Sequence, residues 1–366
     1  MNKTRILIFS TAYLPFVGGA EVAVKEITER LPGFEFVMIT AKLRSDLADM
    51  EKIGNIEVHR LGRGNGWDKF RLIWGGWKLA RSLGKFDAVW SIMASYAGFA
   101  ALRFKTRNPS VPFLLTLQEG DSRWQIYKHV WWCWPYFKQI FKRADKIQAI
   151  SNYLAEWAKR MGARCPVVVV PNGVTIHNFD PQEKSRDLKR VITTSRLVKK
   201  NGLEFLIKAI KLVNDNYDQP VVLKIFGDGE LKNSLKKLAK SLGIQDRFVI
   251  FEGSVYHEKV YECLIQADVF VRPSLSEGLG NSFLEAMAAG VPIIGTKVGG
   301  IPDFLIDGET GLFCKAEPED IARQIKRIFD DHQLAEQLRY NAQKLVQEKY
   351  SWDLISERMK NIFETI

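Results

Sequence analysis

No apolar run in this chain approaches the roughly 18–20 residues that a membrane-spanning helix needs, which excludes a transmembrane segment. The first ten residues hold only a four-residue apolar stretch, residues 6–9. That is too short for the apolar region of a signal peptide and reads as a buried first strand, so the protein is expected in the cytoplasm. Cysteine is scarce: Cys133, Cys165, Cys263 and Cys314 are far apart and form no C-x-x-C pair. Free thiols are expected, and a zinc site or a disulfide framework is not. The five histidines are dispersed and no Asp-x-Asp occurs, so no metal-ligating motif is present. Low-complexity segments and short-period repeats are also missing. With 46% hydrophobic and 26% charged residues in 366, the chain is ordinary globular material for two or three domains.

Charge is distributed unevenly. Residues 1–180 carry 26 Lys and Arg against 15 Asp and Glu, so the whole net charge of +11 lies in the first half. Nine of the ten tryptophans are there too, only Trp352 lying outside. A basic, Trp-rich half suits an anionic membrane surface or an anionic acceptor. Nucleic acid is not expected, because no nucleic-acid motif accompanies the charge. Two segments concentrate these features, residues 67–81 and 124–143. In the first, Trp67, Phe70, Trp74 and Trp77 follow the 3–4 spacing of a helical core stripe and are expected to pack inward. In the second, contact with a membrane or lipid acceptor and packing on the sheet stand as equal readings.

Short apolar runs alternate with amphipathic stretches. Strands are expected at 5–10, 35–40, 86–93, 111–117, 146–150 and 167–170, with helices at 20–31, 69–83 and 152–161. The pattern restarts after a turn-rich joint at 171–189 that includes Pro171, Asn172, Gly173 and Pro181. Strands follow at 190–195, 221–227, 248–251, 269–272 and 292–295, with helices at 203–214 and 231–242 and a long helical pattern from Pro318. Strand–helix alternation of this kind predicts α/β domains with parallel sheets covered on both faces. Ligands of such sheets lie beyond the C-terminal strand ends.

The loop after the strand at 269–272 therefore carries most weight. Gly278 and Gly280 allow close backbone approach, and a helix starting near Asn281 or Ser282 offers free N–H groups to phosphate. Glu277 and Glu285 flank that site and suit sugar or ribose hydroxyls. A second reading has Ser282-x-x-Glu285 as a capping box, with Glu285 serving only the helix. Gly18 and Gly19 make a similar helix start after the first strand, with a tight structural turn as the competing reading.

Glu277-x7-Glu285 lies within Pro-Ser-x-x-Glu-Gly…Glu-Ala-Met-Ala-x-Gly and resembles the donor motif of the retaining glycosyltransferases of family 4. The likeness extends over nearly the whole chain, through Gly18-Gly19-Ala20-Glu21, Ala149-Ile150-Ser151, Pro171-Asn172-Gly173-Val174, Ser195-Arg196-Leu197, Phe226-Gly227-Asp228-Gly229 and Val298-Gly299-Gly300-Ile301-Pro302. It implies a GT-B fold: two facing Rossmann-like domains with parallel sheets and an interdomain cleft. An acceptor-binding domain is placed at 1–175 and a nucleotide-sugar-binding domain at 176–350. A helix at 351–366 crosses back to the first.

The implied donor site comprises Gly18, Gly19, Arg196, Lys200, Gly227, Glu277, Gly278, Leu279, Gly280, Asn281, Ser282 and Glu285. Arg196 and a following lysine clamp a diphosphate in that family. Asn201 stands where the lysine often lies, so Lys200 is the substitute, with Lys199 the other candidate. Gln118 replaces the family's histidine; it can hydrogen-bond the donor sugar but cannot act as acid or base near neutrality. Glu119 or Asp121 could orient an acceptor hydroxyl, or Asp121 could cap the next helix. Gly227-Asp228-Gly229 reads as a strand–helix turn rather than a dinucleotide fingerprint. Two cations and two helix starts can neutralise a leaving diphosphate, so no cofactor and no divalent metal is expected. The implied activity is transfer from a UDP- or GDP-sugar to a glycan or lipid-linked acceptor. A catalytically idle sugar-nucleotide or glycan-binding module and another GT-B enzyme, such as a sugar-nucleotide epimerase, are the competing readings.

Overall fold

The computed structural model describes residues 3–176, 188–255 and 257–366. Pro181, one of the turn formers expected at the joint, lies outside the described residues. Two compact units are present, one of residues 1–173 with Trp352–Ile366 and one of Val174–Ser351.

The first unit is built on eight strands: β1 (Thr4–Phe9), β2 (Phe34–Ala41), β3 (Met50–Ile53), β4 (Ile56–Leu61), β5 (Ala88–Ile92), β6 (Phe113–Leu117), β7 (Lys146–Ala149) and β8 (Val167–Val169). Their order in the sheet is β3-β4-β2-β1-β5-β6-β7-β8. All pairings are parallel except the β3–β4 hairpin. The central strands read as unbroken apolar runs because both faces are covered: Ile6, Leu7, Ile8 and Phe9 are all fully buried. Sequence periodicity misses β3 and β4. Met50–Ile53 is a four-residue edge strand with an exposed face, which offers no apolar run to detect.

The second unit has β9 (Lys189–Thr194), β10 (Val221–Phe226), β11 (Val249–Gly253), β12 (Val269–Arg272), β13 (Ile293–Thr296) and β14 (Leu312–Cys314), ordered β11-β10-β9-β12-β13-β14 and parallel throughout. The three-residue β14 is too short to be read from the sequence. The helical pattern from Pro318 divides into Pro318–Asp330 and His332–Lys349. Asp331 caps the second helix by accepting from Leu334 N at 2.9 Å.

The last helix, Trp352–Glu364, belongs to the first unit. Ile355, Met359, Ile362 and Phe363 join the core of β1, β2 and the helix Gly19–Glu29. The Phe363 ring lies 5.1 Å from Trp90, 5.7 Å from Phe34 and 6.1 Å from Phe36. Arg30 donates to Asp353 at 2.8 Å across the same contact.

One expectation is corrected. The helix Asp68–Ser82 buries Asp68, Leu72, Gly76 and Ala80, and its aromatic stripe faces outward, with Trp67, Phe70 and Trp74 exposed and Trp77 half-buried. Two stripes of helical spacing exist in this segment, and spacing alone does not say which is inward. Close packing decides it: a Cβ on Gly76 would stand 2.9 Å from the Phe9 ring, so the small-residue stripe fits against the sheet. Asp68 closes the turn before the helix by accepting from Arg63 N, Gly64 N and Asn65 N at 2.8–3.0 Å.

The C-terminal helix is expected to be a structural part of the first unit. Phe363→Ala should lower its unfolding free energy by about 3–5 kcal/mol, as for other fully packed aromatics, read by denaturant titration followed through tryptophan fluorescence. A loss below about 1 kcal/mol, the range of surface changes, would contradict the packing described.

Candidate active site

In the second unit the chain leaves β9 for β10 and β11 on one side and returns to β12, β13 and β14 on the other. The switch point therefore lies between β9 and β12, where the loops after adjacent parallel strands diverge and leave room for a ligand. The two loops there are 195–202 and 273–280, and they are tied together by Leu275 N donating to Lys200 O at 2.6 Å.

Arg272, the last residue of β12, is buried and organises the second loop. Its Nη2 pairs with Glu277 Oε2, its Nη1 donates to Ser282 Oγ at 2.6 Å, and its Nε donates to Ser274 Oγ at 3.1 Å. Its guanidinium also lies 4.7 Å above the Phe283 ring. One buried cation thus fixes the loop, the carboxylate and the first turn of the helix Asn281–Ala288. Glu277 Oε1 accepts from Gly278 N at 3.1 Å.

Two glycines make this arrangement possible. Gly280 is the N-cap of the helix at φ +105, and a Cβ there would press on Phe283 at 2.9 Å and Arg272 at 3.2 Å. Gly299, at φ +56, approaches the Glu277 carbonyl so closely that a Cβ would meet its oxygen at 1.7 Å. Leu279, next to Gly280 in the loop, is buried. The capping-box reading of Ser282 and Glu285 is corrected. Ser282 lies inside the helix rather than at its N-cap, which has no side-chain cap, and its hydroxyl accepts from Arg272. Glu285 is one turn further along the same helix.

Across the switch point, Arg196 is exposed and Lys200 is half-buried, while Lys199 is exposed. Asn201, buried, donates from Nδ2 to Arg196 O at 2.6 Å. It shapes the turn that carries Arg196 and brings no charge of its own. Thr193, Thr194 and Ser195 at the end of β9 have buried hydroxyls with no hydrogen-bond partner. The neighbouring strand β10 runs into Gly227, whose N–H donates to Gly253 O at 2.7 Å. Gly229 packs on Leu197, and Asp228 pairs with Lys232 at 2.6 Å.

In the first unit the switch point falls between β1 and β5. The loop after β1 carries Gly18 and Gly19, which open the helix Gly19–Glu29. The Glu21 carboxylate folds back to 2.6 Å from where a Gly18 Cβ would stand, so this helix start already holds a carboxylate near its positive end. Gln118, buried after β6, accepts from Asn172 Nδ2 at 3.1 Å. Glu119 accepts from Ala94 N at 2.6 Å through Oε1, and its Oε2 is buried without a partner. Burial pushes the Glu119 carboxyl up to about 7, against the opposing pull of the Ala94 N–H. Asp121 is exposed and is not the helix cap. Ser122 caps Arg123–Val130, in a capping box with Gln125. Among the described residues no three His, Cys, Asp or Glu side chains group as a metal site.

Sequence reasoning missed Arg272, the partner of Glu277. A signal was available: an arginine ending a central strand of a doubly covered sheet cannot reach solvent sideways and needs an internal anion.

Comparison with known proteins gives the family and the fold. Residues 175–345 match the model of "Glycosyl transferases group 1", and residues 17–178 match "Glycosyltransferase Family 4". The chain belongs to the family 4, group 1 glycosyltransferases and is a glycosyltransferase enzyme of GT-B fold. It is 28% identical over 252 residues to the GDP-mannose-dependent alpha-(1-6)-phosphatidylinositol monomannoside mannosyltransferase of Mycobacterium tuberculosis, covering 63% of this chain and 65% of that one. Sucrose-phosphate synthase from Thermosynechococcus elongatus superposes with a TM-score of 0.85 at 21% identity, over 99% and 98% of the two chains. Anabaena HepE, solved in complex with UDP and glucose, gives 0.79 at 17% identity over 99% and 100%.

The Glu119 environment has a pH signature. Its folded value near 7 exceeds the ordinary value of 4.5, so the folded chain keeps a proton that the unfolded chain has lost. Its contribution to stability is complete below about pH 4.5 and is lost as pH rises through 7. Glu119→Gln removes this titration. The melting temperature of the variant relative to the parent should therefore rise between pH 5 and pH 8. Parallel profiles for the two proteins would contradict a Glu119 that stays protonated in the folded chain near neutrality.

Proposed function

We propose that this glycosyltransferase is retaining and metal-independent. It moves a sugar from a UDP- or GDP-sugar to a glycan or lipid-linked acceptor in the synthesis of surface polysaccharide or glycolipid. The observation that carries the reading is Glu277, clamped by buried Arg272 at a helix start and facing the loop of Arg196 and Lys200 across the switch point. The second unit binds the donor and the first unit the acceptor. The basic first half suits work at an anionic membrane surface on the cytoplasmic side. The mannosyltransferase relative, named for GDP-mannose and a phosphatidylinositol glycolipid, supports a nucleotide-sugar donor and a lipid-linked acceptor. So does HepE, crystallised with UDP and glucose, on the donor side.

The chemistry follows from the charges. The bond between the sugar C1 and the β-phosphate oxygen breaks, and the acceptor oxygen bonds C1 on the same face. The acceptor proton passes to the departing phosphate oxygen, so no second catalytic carboxylate is required. The positive N-terminal end of Asn281–Ala288, with Arg196 and Lys200, holds the diphosphate as negative charge grows on it. Of the two lysines, Lys200 is favoured because its backbone is joined to the Glu277 loop. Glu277 holds the sugar hydroxyls and stabilises positive charge developing at C1, and Glu285 takes the ribose. Gln118 supplies hydrogen bonds only, as its amide cannot exchange a proton near neutrality.

Glu277→Gln should lower turnover by roughly 10²–10³-fold, as for loss of other preorganised electrostatic groups, while binding of the free nucleoside diphosphate persists. Excess EDTA should leave the parent rate unchanged. Turnover unaffected by the substitution, or abolished by the chelator, would contradict the mechanism.

A further inference from the structure

The outward aromatic stripe of Asp68–Ser82 has a counterpart. In the segment of helices Arg123–Val130 and Trp134–Arg143, Trp131 is 73% exposed and Trp132 67%, with Trp124 and Tyr136 also exposed. These two segments are far apart in sequence but neighbours in the fold. The helix Tyr96–Arg107 packs against both Asp68–Ser82 and Trp134–Arg143. Arg103 on that middle helix stacks 3.6 Å above the Trp74 ring of one neighbour. Arg107 lies 4.1 Å above Trp77. The middle helix thus joins the two segments, through its arginines over Trp74 and Trp77 on one side and through the Phe99 ring 6.3 Å from Phe137 on the other.

The charge of this surface is of one sign. The three segments, 68–82, 96–107 and 123–143, contain twelve Lys and Arg and a single carboxylate, Asp68. Asp68 is fully buried. These helices hold the entire +11 of the first half, and the rest of that half is balanced. Two copies of such a face would set cation against cation, which disfavours self-pairing. Rings at the height of lipid headgroups with cations among phosphates satisfy both features together. No helix among the described residues is long and apolar enough to cross a bilayer, so the contact is to the surface.

We infer that the face formed by these three segments docks the enzyme on an anionic lipid bilayer, Trp131 and Trp132 entering the interface and the cations pairing with lipid phosphates. The inference deepens the lipid-linked-acceptor reading and rests on it for the purpose of the contact. The contact itself is tested separately.

The full chain is floated with phosphatidylcholine vesicles, with and without phosphatidylglycerol, at low salt and at about 0.5 M salt, where screening acts within a few Å. Binding is expected only to the anionic vesicles and is expected to be lost at high salt. The double variants Trp131→Ala/Trp132→Ala and Lys128→Glu/Lys138→Glu, with unchanged melting temperature, should each partition at least roughly tenfold more weakly. Absence of binding at low salt, or equal binding by parent and both variants, overturns the inference. So does self-association or nucleic-acid binding through these residues without vesicle binding. Release of nucleotide from a sugar nucleotide is measured on the same samples without vesicles. If none of them releases nucleotide but vesicles are bound, the donor reading fails and the docking face stands. If release is intact and binding is absent, the docking face alone fails.

Discussion

Everything at the candidate donor site hangs on one buried guanidinium. Arg272 ends a central strand of a sheet covered on both faces, where an unpaired cation would cost several kcal/mol. It is satisfied by a carboxylate, two hydroxyls and an aromatic ring, all within the eleven residues that follow it in the chain. The loop cannot take another path without stranding that charge. Glu277 is consequently held in place before any ligand arrives, which is the preorganisation that its proposed catalytic role requires. The same residue explains why Ser282 does not cap its helix: its oxygen is already committed to Arg272.

The fold was largely legible because parallel, doubly covered strands announce themselves as continuous apolar runs, as residues 6–9 do. Elements outside that regime were not. The β3–β4 hairpin exposes one face of its edge strand, β14 has only three residues, and the break at Asp331 interrupts no apolar spacing. The aromatic stripe on Asp68–Ser82 shows a limit of periodicity itself. Trp67, Phe70, Trp74 and Trp77, spaced 3–4 from the N-cap onward, and the set Asp68, Leu72, Gly76 and Ala80, spaced 4, both follow helical periodicity on one helix. Only the tight approach of Gly76 to Phe9 selects the inner set, and that approach is a tertiary fact.

The site was legible where a backbone constraint writes itself into residue type. Gly280 and Gly299 are glycines because the chain has positive φ there and packs against Arg272 and the Glu277 carbonyl. The placement of Glu277 in a loop after a strand could be read for the same reason. Its partner Arg272 was missed, although an arginine ending a central strand of a sheet expected to be covered on both faces already calls for an internal anion. Asn201 and Gln118 stand where the family pattern has other residues. In the fold each makes a hydrogen bond, Asn201 to the Arg196 carbonyl and Gln118 with Asn172, so the substitutions bring local bonds in place of the lysine's charge and the histidine's acid–base capacity.

The most direct test of the central claim compares the parent with Arg272→Lys in calorimetric titrations. Bare nucleoside diphosphates are set against the corresponding UDP-, GDP- and ADP-sugars. Lysine keeps the charge but cannot reach Glu277, Ser282 and Ser274 together. The account predicts that one sugar nucleotide binds the parent more tightly than its bare diphosphate, and that this increment disappears in the variant while diphosphate binding remains. An increment that survives in Arg272→Lys would contradict it, as would a parent that binds no member of the panel.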